Sequence, residues 1–189
     1  MEKTIEEASK EEASAEAYRE KMLLADHSQG KAFLTQEYDY YASIVGEDYL
    51  SIDEETVELF LSLPEMRMQE AELPSTAMLE GDAYLLKVPT SNPYKVFAWL
   101  PFGGWNACPR NEDLIAVSKY WYETYGALPA VITSDCLMFY LEEPVTDAAA
   151  LAELAKEQCA FCPDLLGMGE ILFYPLMSYG SNLWNFWWD

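Results

Sequence analysis

Cys159 and Cys162, two thiols three residues apart, are the side chains in this sequence whose spacing comes closest to chemistry. A Cys-x-x-Cys pair serves as a redox couple or as half of a zinc site. A redox pair opens a helix, where the positive end of the helix dipole lowers the thiol pKa and makes a nucleophile. Here the spacing of Ala148, Leu151, Ala152, Ala155, Cys159 and Cys162 predicts that the pair closes a helix, before Pro163 and beside Asp164, where the field favours the protonated thiol. Zinc would need Cys108 and Cys136 as further ligands, because His27 is the only histidine. Neither belongs to a second close pair. Buried structural thiols are therefore the favoured reading, with zinc on Cys108, Cys136, Cys159 and Cys162 as the alternative.

The remaining candidates are weaker. Gly103 and Gly104 could form an anion nest ahead of a helix, but no lysine or phosphate-binding spacing accompanies them, and Glu112 and Asp113 already answer that helix's dipole. A tight loop that lets Phe102 and Trp105 pack is the simpler expectation. His27 has no serine or cysteine motif near it, so no hydrolase triad is visible. Asp189, read together with a terminal carboxylate, makes a paired negative site among the indoles of Trp184, Trp187 and Trp188. Burying it would require an arginine, a lysine or backbone amides, with Arg110 and Lys119 as candidates. The expected outcome is a clamp that fixes the last strand. The alternative is a ligand or partner site formed by Trp105, Asn106, Arg110, Trp184, Trp187 and Asp189. No catalytic residue and no cofactor is assigned.

The elements that must position these groups are legible in part. Thr4 with Glu7 forms a capping-box signature for an acidic, peripheral helix over residues 4–25. A second helix runs through Phe33, Leu34, Tyr38, Tyr41 and Ile44 to Gly46. Ser51 with Glu54 opens a third, stopped by Pro64. Residues 65–77 read as loop and 83–88 as a strand. Residues 95–100 form an almost unbroken apolar run, as expected of a strand covered on both faces. Asn111 caps a helix whose stripe is Leu114, Val117, Ser118, Trp121, Tyr122 and Tyr125, ended by Gly126. Residues 128–133 and 136–141 form a hairpin about Ser134 and Asp135. Thr146 caps the helix that carries the cysteine pair, a short helix begins near Pro175, and 183–188 is the last strand.

From residue 95 the order is strand, helix, strand, strand, helix, strand. This gives an α+β fold with the ferredoxin-like split βαβ arrangement and a helical, acidic N-terminal extension. Three segments are expected: 1–30 as the peripheral helix, 31–93 as an α+β segment packing on the sheet, and 94–189 as the C-terminal α+β domain. Both faces of the sheet carry apolar residues, so the face without helices needs a cover, expected from the N-terminal half, with a second copy or a ligand or partner as alternatives.

Composition narrows the function. The 189 residues carry 33 acidic and 11 basic side chains, a net charge of -22. Such a chain repels phosphate backbones and anionic membranes, which excludes nucleic acid and membrane surfaces as expected partners. A basic protein is the complementary partner, with acidity that merely maintains solubility as the alternative reading. The sequence begins without the basic and apolar regions of a secretory signal and has no membrane-length apolar run, so a cytoplasmic location with reduced thiols is expected.

Taken together, Pro101-Phe102-Gly103-Gly104-Trp105-Asn106 with Cys108-Pro109, then Tyr120-Trp121-Tyr122, Tyr125-Gly126, Phe161-Cys162-Pro163-Asp164, and Trp184 with Phe186-Trp187-Trp188-Asp189 resemble a bacterial family, the domain of unknown function 4253, over residues 94–189. The resemblance implies a domain boundary and a bacterial origin, and it carries no catalytic residue. The expected function is a non-enzymatic, acidic protein-interaction module, immunity- or inhibitor-like, that binds a basic partner. The alternative is a small-ligand or enzymatic domain with a pocket near Trp105 and Asp189.

Overall fold

The structure, a computed structural model, describes residues 5–63, 84–164 and 171–189, excepting the side chains of 5–11 and 173. The expectations for Thr4, Pro64, 65–77 and Ala83 lie outside these residues.

The N-terminal half is helical where it is described. Helix α1 spans Ile5–Leu24, α2 Gly30–Val45, α3 Glu47–Leu50 and α4 Glu54–Ser62. Gly46 ends α2 with a φ of 97°, a conformation that a side chain would resist, and donates its N–H to the Ala42 carbonyl. The cap of α4 is Asp53, not Ser51: its carboxylate accepts from Thr56 N at 2.8 Å. An aspartate one residue before two glutamates offers the stronger acceptor at the dipole's positive end. Residues 84–88 form no strand, and Leu85 is fully exposed.

The apolar run expected as a strand at 95–100 is instead a 3-10 helix, Pro93–Ala98. Pro93 sits at its start, where a fixed φ favours a helical turn and the missing N–H costs nothing. Consecutive residues Phe97 and Ala98 are both buried. A short apolar run cannot by itself distinguish a buried strand from a buried helical turn.

Three strands follow, β1 Leu128–Ile132, β2 Cys136–Tyr140 and β3 Leu183–Trp187, in the order β1-β2-β3 and antiparallel throughout. Thr133 closes the hairpin: its hydroxyl accepts from Cys136 N at 2.9 Å. The fold is α+β. Among the described residues the split βαβ order lacks its first strand, and β3 pairs directly with β2.

Helices α5, Asn111–Tyr125, and α6, Ala148–Phe161, cover the inner face of the sheet. A short α7, Phe173–Ser178, leads into β3. Trp121 of α5 lies 5.2 Å from Phe139, 4.8 Å from Phe161, 5.5 Å from Trp184 and 5.5 Å from Phe186, mostly edge to face. Phe161 of α6 meets Phe186 at 4.9 Å and Trp188 at 5.4 Å. These rings form the centre of the core, and edge-to-face pairs add to their burial.

Two expected caps move by one residue. Asp147, not Thr146, caps α6 by accepting from Ala150 N at 2.8 Å. Asn111 is the first residue of α5 rather than its cap.

Among the described residues, the helices of the N-terminal half lie chiefly against other helices and not against the sheet. Helix α2 lies against α5 and α6, α4 against α6, and α1 against the 3-10 helix. The layers are therefore sheet, then α5 and α6, then α2 and α4. On the sheet's other face Met138 is buried while Tyr140 and Trp187 are exposed.

Candidate functional site

The residues singled out in the sequence separate into three places. Trp105, Asn106 and Asp189 come together. Gly103 and Gly104 both take a φ of 81°, and a Cβ on Gly103 would lie 2.2 Å from the Pro109 carbonyl oxygen, so only glycine fits there. The turn they make packs Phe102 against Trp105 at 4.8 Å and against Trp188 at 5.8 Å. Asn106, itself at a positive φ of 46°, donates from Nδ2 to the Asp189 backbone oxygen. Asp189 N donates to Asp164 Oδ2 at 3.2 Å. Neither Arg110 nor Lys119 supplies the expected countercharge: Arg110 is exposed, and Lys119 reaches Glu123 at 3.9 Å.

The other two aromatics lie elsewhere. Trp184 is buried beside Trp121 and Tyr125, 5.6 Å from the latter. Trp187 points to the opposite face, where its Nε1 donates to Asp135 Oδ2 at 3.0 Å. Hydrogen bonds from Ser134 and Trp187 hold the Asp135 carboxyl below its usual range.

The thiols stand apart from chemistry. Cys159 and Cys162 are fully buried at the end of α6, and Cys162 Sγ donates to the Trp187 carbonyl at 3.0 Å. Burial pushes the Cys108 and Cys159 thiols up to about 12, the direction opposite to a nucleophile's. Among the described residues no three His, Cys, Asp or Glu side chains converge on one point. His27 is buried, its Nε2 bonded to the Met22 carbonyl at 2.7 Å. Purified protein is expected to contain no stoichiometric zinc, and Cys136, the one half-buried thiol, is expected to react first with a disulfide reagent. A full zinc equivalent per chain, or Cys159 reacting first, would overturn the structural reading.

Two features were not found from the sequence. The first is Glu157 of α6, buried between helices. Its carboxylate accepts from Tyr120 Oη at 2.6 Å, Trp121 Nε1 at 2.9 Å and Tyr125 Oη at 3.3 Å, all on α5. Burial raises its carboxyl pKa, and the bonds from Tyr120 and Trp121 pull it partly back. Lys31 of α2 lies 5.8 Å over the Tyr120 ring, at the edge of this cradle. The sequence carried no distinct signal for it, because α6 has three charged residues in fourteen, close to the chain's 23%; only its middle-layer position shows that this carboxylate needs partners.

The second is an open groove of about 410 Å³ between α1 and the 3-10 helix, where Tyr18 and Arg19 face Ala98, Trp99 and Pro101. It does not include Trp105 or Asp189.

A small α+β domain with its sheet on one side and two helical layers on the other defines a broad structural class. Within it the chain belongs to the family described as Domain of unknown function (DUF4253), which matches residues 84–189, beginning ten residues before the expected boundary. No curated protein and no solved structure matches the chain.

Proposed function

We propose that the protein is a non-enzymatic interaction module that binds a basic protein partner through the outer surface of α2 and α3. The supporting observation is an exposed apolar patch set among carboxylates. Tyr40, Ile44, Val45 and Tyr49 are 57%, 61%, 45% and 49% exposed, with exposed Asp39 next to Tyr40 in the chain and exposed Glu47 and Asp48 between Val45 and Tyr49. Tyr40 and Ile44 share one face of α2 at i, i+4, and Tyr40 is held edge-on by Tyr41 at 5.3 Å. Exposed tyrosines beside acidic groups suit a partner that brings cations and an apolar anchor: the rings supply burial, and the field of the -22 chain speeds encounter. The alternative pocket at Trp105 and Asp189 has less support, since the Asp189 backbone is already bonded by Asn106 and Asp164.

Affinity capture from native cells should retain a basic protein that the triple variant Tyr40→Ala, Ile44→Ala, Tyr49→Ala loses and that rising salt releases. Identical capture by both chains, or a partner without basic character, would count against the proposal.

A further inference from the structure

The groove between α1 and the 3-10 helix carries a separate inference, independent of the partner surface on α2 and α3. Its lining contains no acidic side chain, in a chain with 33 of them. Arg19 lies with its guanidinium carbon 6.0 Å over the Trp99 ring, and its Nε is buried without a hydrogen-bond partner. Among the described residues no carboxylate pairs with it. The Tyr18 hydroxyl accepts from Asn111 Nδ2 at 2.7 Å, which fixes the oxygen and leaves its own O–H to donate. Asn111 is in turn held by Phe102 N and the Phe97 carbonyl, so the tyrosine is positioned from the 3-10 helix side as well as from α1.

The charged group and the oriented hydroxyl both offer hydrogens, so the group they fit is an acceptor. A guanidinium matches a carboxylate in shape as well as charge. A net charge of -22 disfavours a dianion such as a phosphate monoester more strongly than a monoanion. Of the rest of the lining, Ser14 adds one hydroxyl at the α1 side, while Ala15, Ala98, Trp99 and Pro101 are apolar and suited to a flat ring, and the volume is that of a small-ligand site.

We propose that this groove binds a small planar aromatic monocarboxylate, its carboxylate on Arg19 and Tyr18 and its ring against Trp99 and Pro101. Titration calorimetry with 2-naphthoate and its neutral isostere 2-naphthamide tests it. The acid is expected to bind at least about tenfold more tightly than the amide, as a charge-assisted contact implies. Arg19→Gln should remove that preference, Arg19→Lys should restore part of it, and Tyr18→Phe should weaken the acid several-fold.

Equal affinity for acid and amide would overturn the inference. So would an acid affinity indifferent to Arg19→Gln in a chain of unchanged circular dichroism, or absence of acid binding at about 10 mM. If Arg19→Gln does not fold, the acid-to-amide comparison on the unaltered chain and the Tyr18→Phe titration decide the matter by themselves.

Discussion

Removal of residues 184–189 is expected to abolish cooperative unfolding, not merely to lower its midpoint. Trp184, Phe186 and Trp188 are each 3% exposed or less and all meet the ring cluster around Trp121 and Phe161. Truncating one large buried ring typically costs about 3–5 kcal/mol. Losing three at once costs about 9–15 kcal/mol, as much as the roughly 5–15 kcal/mol that holds a domain of this kind together. The deletion also strips β2 of its neighbour and uncovers Leu137 and Phe139, which pair with Phe186 and Trp184. Heat or urea should give the truncated chain a broad, probe-dependent loss of signal. A sharp transition would show that the rest of the sheet is self-sufficient.

The second large effect is centred on Glu157. Glu157→Ala leaves Trp121 Nε1 and the hydroxyls of Tyr120 and Tyr125 without their shared acceptor inside the helical layers, a loss of about 3–5 kcal/mol. Glu157→Gln keeps the shape and one acceptor oxygen, so it should lose less. The pH dependence separates the two roles of the carboxyl, hydrogen-bond acceptor and buried charge.

Burial raises the folded pKa of Glu157 above the ordinary 4.5, so the folded state holds the proton more tightly than the unfolded chain does. The stability that follows is fully present below the unfolded value and is lost as pH rises through the folded one. The unaltered chain should therefore show a stability step above pH 4.5 that Glu157→Gln lacks. Equal pH profiles, measured by urea unfolding, would place the carboxyl's ionisation outside the energetics of the fold.

How far the sequence could be read depended on the kind of signal. Helix α5 was legible because Leu114, Val117 and Trp121 recur on one face and Gly126, at a φ of 71°, closes it. The ring-rich β3 was legible because Trp184, Phe186 and Trp188 alternate with exposed Asn185 and Trp187. The 3-10 helix was misread as a strand because Val96, Phe97 and Ala98 satisfy either geometry, and only Pro93 argued for a turn.

Long-range placement was beyond reach. Periodicity states which face of α2 is buried, but not that α5 and α6 lie beneath it in place of the sheet. Within the candidate site, Asn106 and Asp189 were named together but not paired, and the groups that bond Asp189 are the Asn106 amide and Asp164 rather than Arg110 or Lys119. Glu157 and Arg19 escaped notice because a carboxylate or guanidinium on a helix is unremarkable until its burial is known.

The partner surface is the claim on which the functional account rests, and hydrogen exchange of the free chain against the chain bound to its captured basic partner tests it most directly. The account predicts slowed exchange across α2 and α3, with β3 and the 101–106 loop unchanged. Protection confined to β3, to the 101–106 loop or to the exposed side of the sheet around Tyr140 and Trp187 would contradict it.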